Sequence, residues 1–222
     1  MTLVWERPVA ERRRSVPLDR DRIVATAVAL ADRDGIDAVT LRRVAAALDV
    51  LPMRLYTYLA TKDDLLDLLA DWAYGLVELP GPRTAWRPAL RKVARELRTI
   101  AAGHPWVITL LGTRPPYGPN GLRLVERVWA ALYDRALGPA SAAAACTAFI
   151  GYVTGALAQE AGAPDSPEVQ RYLATAVGGG AYPTLARAFA DLGPADTFDG
   201  GLDVVLDGIA ARLTGPAARR GG

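Results

Sequence analysis

The stretch TLRRVAAALDVLPMRLYTYLATKDDLL, residues 40–66, carries apolar stripes of helical period, and the first two are too short to stand alone. Leu41, Val44, Ala45 and Leu48 recur at i, i+3, i+4 and i+7, one face of a helix. After a break at Asp49, Leu55 and Leu59 resume the spacing. Helices shorter than about 12–15 residues are marginal in water. Two such pieces in succession persist only when their stripes meet a common core, and a tight connection between them makes a helix-turn-helix. Thr40 suits an N-cap. Pro52 suits a first helical turn, where its missing N–H costs nothing. Asp49 is placed to turn the chain in a left-handed conformation, which Asp tolerates better than most residues.

The flanking sequence supplies partners. Ile23, Ala27, Leu30 and Ala31 share one face of a helix expected from about Asp19 to Asp34, with Gly35 stopping it. Thr61-Lys62-Asp63-Asp64 reads as a capping box with Asp standing in for Glu. It opens a helix with a wide apolar surface of Leu65, Leu66, Leu68, Leu69, Trp72, Ala73 and Leu76. LPGPRTAW, 79–86, then reads as a linker and domain boundary. Further helices are expected at roughly 85–103, 105–111, 120–137, 140–161, 166–177, 182–192 and 198–214, punctuated by prolines and by the glycines at 178–180. Few stretches alternate apolar and polar residues, so the expected class is all-α. The expected organisation is a flexible basic arm at 1–17, a three-helix helix-turn-helix DNA-binding domain at 18–78, a helical ligand-binding and dimerisation domain at 79–214, and a disordered tail at 215–222.

Composition narrows the function classes. With 51% hydrophobic and 23% charged residues in 222, the chain is long enough for a substantial core. The sequence shows no evident run of about 18 apolar residues, so no transmembrane helix and no membrane partner are expected. The N-terminus lacks the apolar core of a secretory signal, and Cys146 is the only cysteine. A single thiol forms no intrachain disulfide and fits a reducing cytoplasm. Net charge is only +2, but residues 1–62 hold eleven basic against eight acidic side chains, +3, while the remainder holds 15 against 16, −1. The basic excess lies where the helix-turn-helix is read.

A helix that reads DNA needs an inner side that anchors it and an outer side that touches bases and phosphates. Leu55 and Leu59 supply the anchor, leaving Pro52, Met53, Arg54, Tyr56, Thr57 and Tyr58 at the outer surface. Arg54 can donate two bonds to guanine in the major groove, and Met53 and Thr57 can touch thymine methyls. Tyrosine hydroxyls bond phosphates, which positions the helix without reading sequence. Thr40, Arg42 and Arg43 begin the helix that would cross the backbone, and Lys62 begins the next, where free N–H groups attract phosphate. Arg12, Arg13 and Arg14 form either an arm for the minor groove or a plain basic tail. Tyr56 can also pack inward, and Arg42 and Arg43 can be an ordinary solvated face.

Residues 23–71 resemble the N-terminal pattern of the TetR family of bacterial transcriptional regulators, with the Gly35 turn, the Thr40 cap, Leu55-Tyr56 and Lys62-Asp63-Asp64-Leu65-Leu66 as its marks. Asp49 stands where that family often has Gly, and Tyr58 where it often has His. Residues 85–213 are similar to the C-terminal domain of the tetracycline-repressor subclass, with GTRP at 112–115 the nearest match. The resemblance implies a homodimer joined through the helices near 140–161 and 198–214, a pseudo-palindromic double-stranded operator, and a small-molecule ligand that releases repression. The helix from Thr61 would then link the ligand to the DNA-reading helix.

In the tetracycline-repressor subclass the ligand is a magnesium complex held by His, Asn and Glu. The matching positions here are Glu78, Val93, Leu110 and Gln159. The metal-binding histidine and glutamate are missing from them, so no metal site and no cofactor are expected. An apolar or aromatic ligand is expected instead, at Trp72, Trp106, Leu110, Trp129, Phe149, Tyr152 and Gln159, although plain core is the more ordinary place for any one of the aromatics. An enzyme is the rival reading. It is poorly served: His104 is the sole histidine and is placed to end a helix, Cys146 sits in an apolar alanine run, and no nucleotide or hydrolase motif occurs. A third reading, a small-molecule-binding or interaction protein on the same fold without specific DNA binding, leaves the outer residues of 40–62 without a purpose.

Overall fold

A computed structural model describes residues 17–133, 138–162, 166–191 and 197–214. They form α1 (Arg20–Asp34), a 3-10 turn (Ile36–Ala38), α2 (Leu41–Ala47), α3 (Pro52–Leu55), α4 (Lys62–Gly75), α5 (Trp86–Gly103) and α6 (Val107–Thr113), then α7 (Pro119–Tyr133), α8 (Gly138–Ala161), α9 (Pro167–Gly178), α10 (Pro183–Asp191) and α11 (Thr197–Thr214). No strand occurs among the described residues, and the expected helices form with ends within two residues where both ends are described. The expected tail at 215–222, and all but residue 17 of the expected arm, lie outside the described residues.

The first unit ends at Leu69. Asp19 caps α1 by accepting from the Arg22 N–H at 2.8 Å. Gly35 ends the helix with φ 81°, a left-handed conformation open to glycine, and its N–H donates to the Ala31 carbonyl. The expected stripe of α1, Ile23, Ala27, Leu30 and Ala31, is buried, as are Val44, Ala45 and Leu48 around α2. Thr40 caps α2, accepting from the Arg43 N–H at 3.2 Å. Asp49 turns the chain with φ 54°, the non-glycine residue in the left-handed region. The second helix of the motif is one turn long, Pro52–Leu55, and it is pinned by Leu55 and Leu59, both buried. The capping box forms as expected. Thr61 Oγ1 accepts from the Asp64 N–H at 3.1 Å, and the Asp64 carboxylate accepts from the amides of Thr61 at 3.2 Å and Ala60 at 2.6 Å.

The second unit begins at Ala70, so the division falls inside α4. The expected boundary at 79–86 lies further along the chain. The physical reason is local: the end of α4 has its partners in the second unit, where the Asp71 carboxylate accepts from the amides of Asn120 and Gly121. Within this unit α8 packs against α5, α6, α7 and α11. Phe149, Val153 and Leu157 of α8 and Phe198, Leu202 and Leu206 of α11 are buried. Contrary to the expectation, α8 is long and apolar enough to cross a membrane by length and composition, with a mean hydropathy of 1.5. Its apolarity is diluted by Ser141, Thr147, Thr154 and Gln159, which hides it from a search for an unbroken run.

An ion-pair ladder joins α5 to α11. Arg87 reaches Asp207 at 2.6 Å, Arg91 pairs with Asp203, and Arg95 grips Asp199 through two bonds of 3.1 and 2.9 Å. Each pair is at the surface and worth little alone. Successive arginines at helical spacing against successive aspartates fix the register of the two helices. α9 and α10 contain no buried residue among those described.

Two tests follow from this packing. Leu55→Ala removes the fully buried anchor of α3 and should cost about 2–5 kcal/mol, read as a lower urea midpoint. An unchanged midpoint would show that α3 does not depend on that anchor. Hydrogen bonds from Ala60 and then Thr61 hold the Asp64 carboxyl below its ordinary value of 3.8. A depressed carboxyl adds stability above its ordinary value and loses it as pH falls through the folded value. Asp64→Asn should therefore melt below the parent at pH 7, and the gap should close as pH drops below about 4.

Candidate nucleic-acid interface and ligand pocket

Of the residues on and around α3, Leu55 turns inward and its neighbours turn out. Met53 is 75% exposed and Tyr56 51%, and Pro52, Arg54 and Thr57 are exposed as well. Leu51, also 75% exposed, belongs to the same face and was missed in the sequence, where a leucine next to an apolar stripe reads as core. Apolar side chains exposed side by side, unlike scattered ones, mark an interaction surface. Arg42 and Arg54 are exposed without an ion pair or hydrogen-bonded side-chain partner among the described residues. Arg12, Arg13 and Arg14 lie outside them.

Three expected contacts are placed differently. Tyr58 is half-buried, and its hydroxyl donates to the Leu18 carbonyl, tying the end of the motif to the start of α1. Arg43 pairs with Asp34, which Arg33 shares, and donates to the Ala38 carbonyl at 3.2 Å, so its side chain is tied within the unit. Asp34 is correspondingly held below its ordinary value, first by Arg33 and then by Arg43. Lys62 does begin α4, but the amides of Ala60, Thr61 and Asp64 are taken by the capping box. An anion at that helix end would meet the lysine beside the acidic first turn, Asp63 and Asp64, with the Asp64 amide already taken.

The second unit holds a partly open cavity of about 120 Å³. Val93 and Leu97 of α5, Val125 and Val128 of α7, and Phe149 and Val153 of α8 form its apolar walls. Polar groups reach it from Tyr74 at the end of α4, Thr154 of α8, and Arg114 in the link between α6 and α7. Burial, and then the Asp71 charge, push the Tyr74 hydroxyl above its ordinary value, so it stays protonated and able to donate. The Thr154 hydroxyl is bonded to the Ile150 carbonyl at 2.9 Å. An apolar chamber with a few convergent polar groups is the usual form of a small-molecule site.

Of the expected ligand residues, Phe149 alone lines this cavity. Leu110 is core, and Trp129 is half-buried on α7 and outside the lining. Trp72 and Trp106 stack at 5.9 Å, with the His104 ring edge-on to Trp72 at 5.1 Å. Those three rings pack against one another, so burial of the aromatics does not by itself mark the cavity. Tyr152 and Gln159 lie in a groove of about 510 Å³ between α8 and α11, where the Tyr152 hydroxyl donates to the Phe198 carbonyl at 2.6 Å. The wall residues missed in the sequence are mostly valine and leucine, which carry no signal that separates a pocket from a core. Of the positions matched to the metal ligands, Val93 is in the cavity wall, while Glu78 pairs with Lys92 at 3.2 Å.

The residues of the enzyme reading are committed elsewhere. His104 caps α5, donating its N–H to the Ile100 carbonyl at 2.8 Å. Burial pushes the Cys146 thiol up to about 11, which keeps it from becoming a nucleophilic thiolate near neutral pH.

Comparison with known proteins agrees with this architecture. Residues 23–69 match the bacterial regulatory proteins of the tetR family, and residues 79–213 match the tetracyclin repressor-like C-terminal domain. An HTH-type transcriptional regulator of Saccharopolyspora erythraea is 38% identical over 94% of this chain and 91% of its own length. The HTH-type transcriptional repressor DrrR1 of Streptomyces coeruleorubidus is 33% identical over 100% of this chain and 87% of its own. Among solved structures, the TetR family protein ActR of Streptomyces coelicolor in complex with actinorhodin superposes with a TM-score of 0.78 at 27% identity, covering 90% of this chain and 100% of that one. With a helix-turn-helix at one end and a tetracycline-repressor-like helical unit at the other, both matched along their length, the chain belongs to the TetR family of bacterial transcriptional regulators.

Proposed function

We propose that the chain is a repressor that binds a pseudo-palindromic operator as a homodimer and lets it go when an apolar or aromatic small molecule enters the cavity of the second unit. The observation that carries the DNA half is the outward array on and just after α3, with Met53, Arg54, Tyr56 and Thr57 exposed around the buried anchors Leu55 and Leu59. Arg54 reads guanine, Tyr56 and Arg42 hold phosphates, and Arg43 and Tyr58 keep the motif in shape. Such DNA places the protein in the bacterial cytoplasm.

The dimer is supported by α8 and α11. Only 33% of the most apolar window of α8 is buried within the chain, and Val204 of α11 is 72% exposed. Along the same pair of helices runs a second groove, about 310 Å³, lined by Ala144, Ala148, Val205 and Ile209. A second copy of these two helices would cover this surface and complete a four-helix bundle. The ligand half is supported by the apolar cavity, and by ActR, a structural relative that holds actinorhodin. The present volume, about 120 Å³, suits roughly one aromatic ring, since a cavity of about 150 Å³ holds benzene. A larger ligand enters only as the walls part.

The direct test is selection from random duplexes at about 0.15 M salt, since phosphate contacts make affinity salt-dependent, followed by gel shift on the sequence recovered. Arg54→Ala should lose about tenfold or more, from the 1–3 kcal/mol of a base-specific pair, and should relax preference at one position of the half-site. Arg43→Ala should change DNA affinity less than Arg54→Ala while lowering the melting temperature. Failure to enrich any sequence would sink the operator reading and favour the binding protein without DNA specificity.

Sedimentation tests the assembly. The parent chain should run at the mass of two copies, and Val204→Glu should shift it towards one copy and weaken operator binding in parallel. A parent that sediments as one copy would overturn the dimer.

A further inference from the structure

One carboxylate of α4 holds a segment that walls the cavity. Asp71 of α4 accepts three hydrogen bonds from the start of α7: from the Asn120 N–H at 2.9 Å, the Gly121 N–H at 2.9 Å and the Asn120 side-chain amide at 3.1 Å. It thereby caps α7 from a different helix. Gly118 packs so closely on this carboxylate that an added Cβ would collide with it. The same segment forms part of the cavity: Arg114 and Pro116 line it just before the cap, and Leu124 and Val125 just after. Tyr74, one helical turn beyond Asp71, lines it too. Any ligand that presses on the 114–125 wall therefore presses on a segment bonded to α4. α4 is one continuous helix whose first eight residues, Lys62–Leu69, belong to the first unit.

We infer that Asp71 is the positioning residue of the ligand response, the group through which filling the cavity displaces α4. This rests on the proposed ligand-released repressor. The alternative for Asp71 is a plain helix cap that stabilises the second unit and transmits nothing. The chemistry favours the coupling role for two reasons. Bonds to an ionised carboxylate are shorter and stronger than neutral ones, so the wall and α4 move together rather than slide. And the cap joins a cavity-lining segment to a cavity-lining helix, where an ordinary cap would come from the residue before α7.

A double-mutant cycle tests this without knowing the ligand. Val125→Trp places a large side chain in the cavity and stands in for an occupant. Operator affinity is measured for the parent, for Val125→Trp, and for each on Asp71→Ala and Asp71→Asn backgrounds, with thermal melts beside them. Couplings between sites are typically about 5–150-fold. Val125→Trp should weaken operator binding by about fivefold or more in the parent and by less than about twofold without the Asp71 carboxylate, a departure from additivity that contacting or coupled residues show. Equal losses on both backgrounds would overturn the role of Asp71 and leave the ligand-released reading standing. A filled cavity that leaves operator affinity unchanged in the parent would overturn both. Should Asp71→Ala fail to fold, Asp71→Asn keeps the volume, and Asn120→Ala removes one of the three bonds while keeping the acid.

Discussion

A helix of one turn has no stability of its own, and the outward face proposed to read DNA depends on solving that problem. α3 is Pro52–Leu55, and nothing within it holds it helical. It persists because Leu55 and Leu59 are buried while their neighbours are left in water. Each end is fixed by other means. Before it, Asp49 adopts the left-handed turn; after it, Tyr58 ties back to Leu18 and the capping box opens α4. The exposed Met53, Arg54 and Tyr56 are thus presented by a rigid frame whose cost is met elsewhere in the unit. Arg43 contributes to that frame, because it bonds both Asp34 and the Ala38 carbonyl.

In the second unit the Arg87, Arg91 and Arg95 ladder against Asp207, Asp203 and Asp199 joins α5 to α11 at the surface. α5, α7 and α8 leave an apolar chamber between them, and the link from α6 to α7 closes it with Arg114 and Pro116. Packed interiors resist continuous deformation, so an occupant larger than the present chamber must shift a wall segment as a whole. The segment bonded to Asp71 is the one that also faces the chamber.

How much of this was legible differs by element. Helix positions, the Thr40 and Thr61 caps and the turn at Asp49 follow from local chemistry that needs only neighbours in sequence. The outward residues of α3 were legible because two leucines four apart leave only one face for the rest. Tyr58 and Arg43 were not, since their partners, Leu18 and Asp34, lie 40 and 9 residues away. The apolar chamber was scarcely legible. Bulky aromatics drew the sequence reading, yet Trp72, Trp106 and His104 stack on one another, and the walls are mostly valine and leucine.

The sequence by itself determined the helices, their stops, and which residues of the short motif face water, because capping, turn chemistry and periodicity act within a few residues. Only the tertiary structure decided where charge is neutralised, where space remains and where α4 is fastened. Those depend on groups far apart in the chain, such as Asp71 meeting Asn120 across 49 residues, and a distance in space that no local pattern encodes.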